Sequence, residues 1–218
     1  MVLKDYANLI GVAAGLAAFC LNLAPAFVCK TIIKKKSTKD IPVGSFIECI
    51  ARNVMCVQQG LIISAWPMVL SNVIGIVLNS SYIYIYLTYT TNKVYVMKIL
   101  SFWAAVLSIF IAYGQLEDKA LVEWRFGLLF TSFNCSIVLY HFYRLKVVLE
   151  TKSTKSLPFP ILVVAACVTF LWFLYGMALN KPLLMLPTGI SFLMCSTSLI
   201  LFAIYPSSPD EELHKKKK

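Results

Sequence analysis

Asn72 and Thr188 are the polar residues whose placement points to chemistry. Each lies mid-way along an otherwise apolar stretch, and the two are 116 residues apart. Amide and hydroxyl groups both donate and accept hydrogen bonds, so together they suit a neutral polyol. The competing role is structural, because a polar side chain in hydrocarbon must find a partner and often finds it on a neighbouring helix. Trp172 stands at the same offset from Cys56, one turn before Gly176 and Gly60 respectively. An indole stacks on the apolar C–H face of a sugar ring and offers one N–H donor. Trp172 falls near the middle of its stretch, which argues against an interfacial belt position. Catalysis finds little support: the histidines are His141 and His214, and no acid pair lies in an apolar segment. Neither an enzyme nor a cofactor is expected.

The elements that hold these residues follow from composition. The chain has 218 residues, of which 59% are hydrophobic and only 14% charged, against about 25% charged in an ordinary soluble domain. Residues 7–29, 65–92, 99–116, 126–143, 156–180 and 182–209 contain no Asp, Glu, Lys or Arg, and 41–64 is interrupted only by Glu48 and Arg52. A helix of about 20 apolar residues crosses the hydrocarbon core. The stretches do not alternate in polarity as barrel strands would, and lipid forces backbone groups to pair within the segment. The expectation is an all-α membrane protein with seven transmembrane helices. Glu48 and Arg52, at i and i+4, are expected to pair toward the bundle interior.

The net charge of +10 has a topological explanation rather than a nucleic-acid one. Cytosolic loops carry excess Lys and Arg. On one side of seven spans lie Lys30, Lys34, Lys35, Lys36, Lys39, Lys93, Lys98, Arg144, Lys146, Lys152, Lys155 and the tail lysines Lys215–Lys218. The other side has Lys4, Lys119, Arg125 and Lys181. This asymmetry places the N-terminus outside and the C-terminus in the cytosol. The first apolar stretch has full spanning length and is read as a helix, not a removed signal peptide. The seven cysteines fall in or beside spans and make no disulfide framework. The sequons at Asn79 and Asn134 sit inside predicted helices.

An internal repeat organises the chain. Lys36-Ser-Thr-Lys-Asp-Ile-Pro42 matches Lys152-Ser-Thr-Lys-Ser-Leu-Pro158, an offset of 116. The same offset, without a gap, pairs Gly60 with Gly176, Asn72 with Thr188 and Tyr89 with Tyr205. A polar loop with a proline does not align by apolar bias alone. The expected units are 1–92 as the first three-helix repeat, 93–119 as a linker helix, 120–206 as the second repeat and 207–218 as a basic tail. An intervening span restores orientation, so the bundles are parallel in a 3+1+3 plan, as in parallel-repeat transporters. The linker is expected to contribute least to function.

This arrangement resembles the SWEET family of sugar uniporters across nearly the whole chain. The resemblance rests on Pro25 followed by Lys35-Lys-Ser-Thr and Pro42, on Thr151-Lys-Ser-Thr-Lys-Ser-Leu-Pro158, on Trp172-Phe-Leu-Tyr-Gly176 and on Asn72-Val-Ile-Gly75. It implies bidirectional facilitated diffusion of a mono- or disaccharide by alternating access. It also implies substrate contacts at Asn72, Thr188, Trp172 and Cys56, with Thr188 where the family typically has Asn. Four hinge prolines close the family's inner gate; here they are Pro25, Pro42 and Pro158, with His141 in the fourth place. Gln59 and Lys181 occupy the positions of a Tyr–Asp outer gate and keep neither residue type. Pro187 is a further kink candidate beside Thr188.

Rival readings fit less well. A seven-helix receptor would carry Asn-Pro-x-x-Tyr in its last helix, where this chain has Leu186-Pro-Thr-Gly189. A retinal protein needs a lysine within 182–209, which has none. Amino-acid exporters or sorting receptors of the Pro-Gln-loop type would show Pro-Gln where Pro25-Ala26 and Tyr140-His141 stand. The expected partners are a small sugar, glucose-like or sucrose, and membrane lipid, with a homo-oligomer open and no nucleic acid. The plasma membrane is the expected location; the terminal lysines resemble a dilysine signal that would favour the Golgi or the endoplasmic reticulum.

Overall fold

The computed structural model describes residues 2–39, 41–154 and 159–205. Among them every regular element is a helix: α1 (Val2–Asp5), α2 (Ala7–Asn22), α3 (Ala24–Lys35), α4 (Gly44–Ile62), α5 (Trp66–Tyr89), α6 (Lys93–Leu116), α7 (Lys119–Thr151), α8 (Phe159–Ala178) and α9 (Pro182–Ile204). Pro158 and the tail 206–218, with its terminal lysines, lie outside the described residues.

The stretches Ala7–Lys35, Trp66–Tyr89, Lys93–Leu116, Phe159–Ala178 and Pro182–Ile204 are long and apolar enough to cross a membrane. Their surfaces match that solvent. Leu9, Leu70, Phe102, Ile109 and Leu193 are each more than half exposed, a distribution that only lipid tolerates at this density. A helix in lipid closes its own backbone hydrogen bonds, which is why apolar residues on all faces still give helices here.

Proline and turn chemistry set the helix ends. The first apolar stretch breaks at Leu23, and Pro25 sits in the first turn of α3, where a missing N–H costs nothing. Pro42 was expected inside a helix but precedes α4, and its carbonyl accepts a bond from the Ser45 hydroxyl at 3.1 Å. The helix-interior proline is Pro187, in α9. It removes the partner of the Leu183 carbonyl, four residues back. The Thr131 hydroxyl of α7 donates to that carbonyl instead, at 3.0 Å.

The 116-residue offset reappears in the backbone. Ser64 and Asn180 both take positive φ, 56° and 53°, and Lys36 and Lys152 both take 49°. The turns that end α4 and α8 bond alike: Ala65 N–H to Gly60 O at 2.8 Å and Lys181 N–H to Gly176 O at 3.0 Å. These are Schellman caps, with Ser64 and Asn180 at the left-handed position. The glycines permit the return. A Cβ on Gly60 would meet Val69 Cγ2 at 2.9 Å, and one on Gly176 would meet Met185 Cγ at 2.9 Å; Val69 and Met185 are themselves one offset apart.

The chain divides into two compact units, Ala18–Phe130 and the combination of Met1–Ala17 with Thr131–Lys218. In the first, α5 packs on α3 and α4, and α6 packs on α4. Its core gathers Cys29, Ile32, Phe46, Tyr82 and Tyr86. The linker helix α6 is more than a spacer: Gln115 Nε2 donates to Gln58 Oε1 at 3.2 Å, and Gly114 leaves space for the Gln58 amide. In the second unit α8 packs on α9, around a core with Leu145, Val148 and Leu162. Those three are the offset mates of Cys29, Ile32 and Phe46.

Candidate substrate-binding residues

The two mid-span polar residues make the same bond in their own units. Asn72 Nδ2 donates to the Met68 carbonyl at 2.8 Å. Thr188 Oγ1 donates to the Leu184 carbonyl at 2.7 Å. Met68 and Leu184 are again offset mates. Each side chain therefore turns its donor back on its own helix, four residues upstream. What remains is the amide Oδ1 of Asn72, whose second N–H reaches Ser71 Oγ at 3.5 Å, and the oxygen lone pairs of Thr188. Asn72 Oδ1 takes no hydrogen bond among the described residues. Groups of this kind ask a ligand for O–H donors, which a polyol has in abundance.

Trp172 lies on α8 and is buried, with its ring edge-on to Tyr175 at 5.5 Å between centroids. Tyr175 is among the most buried large side chains and fixes the indole from one side. Cys56 lies on α4, half-buried. Cys56 and Asn72 thus belong to Ala18–Phe130, and Trp172 and Thr188 to the other unit.

The residues assigned to gates fall in varied settings. Gln59 is 2% exposed, and its Oε1 is buried without a partner among the described residues. Lys181 caps the start of α9 in extended backbone. His141 falls within α7. The expected Glu48–Arg52 pair does not form. The ion pairs among the described residues are Arg125–Glu117 at 3.0 Å and Lys146–Glu150 at 3.7 Å. Glu48 is exposed and Arg52 is half-buried.

One polar cluster escaped the sequence reading. Asn79 Nδ2 donates to Asn22 Oδ1 at 3.0 Å and to Gly75 O at 2.8 Å. Asn53 Nδ2 reaches the same Asn22 Oδ1 at 3.4 Å, and the Tyr82 hydroxyl donates to Asn22 O at 3.2 Å. The cluster clasps the chain at the α2–α3 break. Gly75 leaves room for it, since a Cβ would meet Asn53 Nδ2 at 2.6 Å and displace that amide. The offset mates, Val138, Thr169 and Cys195, cannot rebuild it. The available signal was three Asn residues in spans 1, 2 and 3. Asn79 is fully buried, so its sequon is closed to glycosylation.

Comparison with known proteins decides the family. The family model described as "Sugar efflux transporter for intercellular exchange" matches residues 8–94 and 125–210. The chain belongs to the SWEET family. The two matched segments begin 117 residues apart, and the family is one of sugar transporters rather than enzymes. Among curated SWEET relatives, the chain is 28% identical to "Sugar transporter SWEET1" of Drosophila pseudoobscura pseudoobscura, over 84% of this chain and 83% of that protein. It is 28% identical to "Bidirectional sugar transporter SWEET1b" of Oryza sativa subsp. indica, over 93% and 81%. It is 26% identical to "Sugar transporter SWEET1" of Rattus norvegicus, over 81% of each. The solved structure of a eukaryotic SWEET transporter superposes with a TM-score of 0.86 at 21% identity, covering 95% of this chain and all of that one. The fold is the SWEET fold. The Pro-Gln-loop alternative is not favoured by these matches.

Proposed function

We propose that this SWEET chain is a uniporter that carries a mono- or disaccharide in both directions by alternating access. The observation that carries the reading is the matched pair of donor bonds, Asn72 to Met68 and Thr188 to Leu184, which leaves hydrogen-bond acceptors at one place in each repeat. Asn72, Thr188, Trp172 and Cys56 contact the sugar, with the indole stacking on its C–H face. Pro25, Pro42, Pro158 and His141 form the inner hinge set, and Gln59 and Lys181 border the outer gate. Seven spans follow when α4 and α7 are added to the five strongly apolar stretches. The lysine-rich loops then face the cytosol, and the plasma membrane is the site of action.

The test is radiolabelled uptake of glucose, galactose, fructose and sucrose in a transporter-deficient cell. Asn72→Ala and Trp172→Phe, at expression equal to the parent chain, are expected to lower flux of the preferred sugar tenfold or more. Unchanged flux in both would remove the proposed contacts. Absence of uptake for every sugar by the parent chain at the cell surface would remove the sugar reading.

A further inference from the structure

On the lysine-rich end of the first unit, α3 and α5 enclose an open groove of about 440 Å³. Ala26, Cys29 and Ile33 of α3 and Tyr82 and Ile85 of α5 give it apolar walls, and Lys30 and Lys34 line it as well. The two lysines are exposed, and among the described residues neither makes an ion pair. They are one helical turn apart, so their ammonium groups can converge on one anion. An apolar slot with two convergent cations at its border, on a surface bathed in hydrocarbon, is complementary to an amphipathic anion.

The second repeat supplies an internal comparison. At the 116-residue offset Lys30 becomes Lys146, but Lys34 becomes Glu150, and the two bond at 3.7 Å. Ala26 becomes Phe142, a bulk that the first copy lacks. The same helix face has thus neutralised its lysine and enlarged its small residue. Among the described residues, the first copy leaves both lysines uncompensated, and the second does not. Lys34 also lies in the last turn of α3, where a cation suits the free carbonyls; that role explains neither the groove nor Lys30.

We propose that this groove binds an anionic phospholipid, with an acyl chain against Ala26, Ile33 and Ile85 and the headgroup phosphate between Lys30 and Lys34. Each lysine held near an anionic headgroup strengthens binding several-fold. The site lies immediately beyond Pro25, so lipid composition would bear on the segment that follows the α2–α3 break.

The test is native mass spectrometry of the full chain in detergent, titrated with phosphatidylserine and with phosphatidylcholine of the same acyl chains. Phosphatidylserine is expected to bind about tenfold more tightly. Lys30→Gln/Lys34→Gln and Lys34→Glu are expected to reduce it to the phosphatidylcholine level. Lys93→Gln/Lys98→Gln, an equal charge change at another exposed pair on the same side, is expected to retain it within about twofold. Ala26→Phe is expected to weaken both lipids. Glycerophosphoserine, the headgroup without chains, is expected not to compete. Equal losses in the two double variants would mean diffuse surface attraction and overturn the site. So would undiminished binding in Lys30→Gln/Lys34→Gln, or competition by glycerophosphoserine as effective as by the lipid, which would mark a free-anion site. A melting temperature in lipid-free detergent that falls for Lys30→Gln/Lys34→Gln, with lipid binding intact, would leave only the helix-end role.

Discussion

The back-bonded arrangement of Asn72 and Thr188 has a chemical consequence for substrate choice. With one Asn72 amide N–H engaged by Met68, the other directed at Ser71 Oγ, and the Thr188 hydroxyl hydrogen engaged by Leu184, both residues present acceptors. A sugar hydroxyl that donates to one of them is not replaced by fluorine, which accepts weakly and cannot donate. Leaving such an acceptor unpaired costs about 1–3 kcal/mol. A series of monofluoro sugars is therefore expected to contain at least one position whose substitution raises the KM for transport roughly tenfold or more. Thr188→Ala should abolish the discrimination at the position that Thr188 reads. A series transported uniformly would show that neither acceptor takes part. The residue types were legible from sequence, because polar groups stand out in apolar spans. The direction in which each donor points was not, since it depends on the rotamer and on which carbonyl lies within reach.

Two connections between helices bear predictions of their own. The Gly60 and Gly176 turns bring the following helix back within van der Waals contact of the glycine. Gly60→Ala and Gly176→Ala must each displace a packed side chain and a nearby backbone N–H. Overpacking of this kind costs about 1–3 kcal/mol, so both variants should lower the melting temperature in detergent, read by fluorescence-detected size exclusion. The mates should behave alike, and a large effect in one with none in the other would mean that the two turns are not equivalent. The α6–α7 turn is electrostatic instead. Glu117 is held below the usual carboxylate range, first by a hydrogen bond from Tyr113 and then by one from Arg125. A carboxyl with a lowered folded value contributes stability that is present above its unfolded value near 4.3 and lost as pH falls through the folded value. The parent chain should therefore lose a small increment of thermal stability between pH 5 and pH 3, and Glu117→Gln should lack that increment. An identical acid response in both would show that other groups carry it.

For the whole molecule, uniport has a direct signature. Vesicles preloaded with unlabelled sugar should take up labelled sugar faster than empty ones, and dissipating a proton gradient should leave initial rates within about twofold. Uptake that collapses with the gradient would exclude a simple uniporter. What the sequence by itself determined is the helical class, the lipid solvent and the register of the two repeats. These follow from runs of apolar residues and from one polar loop that recurs at a fixed offset, signals that do not need packing to be read. The tertiary structure decided which faces are inside. Helices in lipid are apolar all round, so no polar stripe marks their outer surface and burial cannot be read from periodicity. That is why Glu48 and Arg52 were paired on spacing alone, although Glu48 faces outward. It is also why the Asn22–Asn53–Asn79 cluster passed unseen: its members come from three helices, and only packing brings them to one atom. Asn72 and Thr188 were found from sequence because the repeat relates them, and the repeat is the one long-range relation that a sequence carries without being folded.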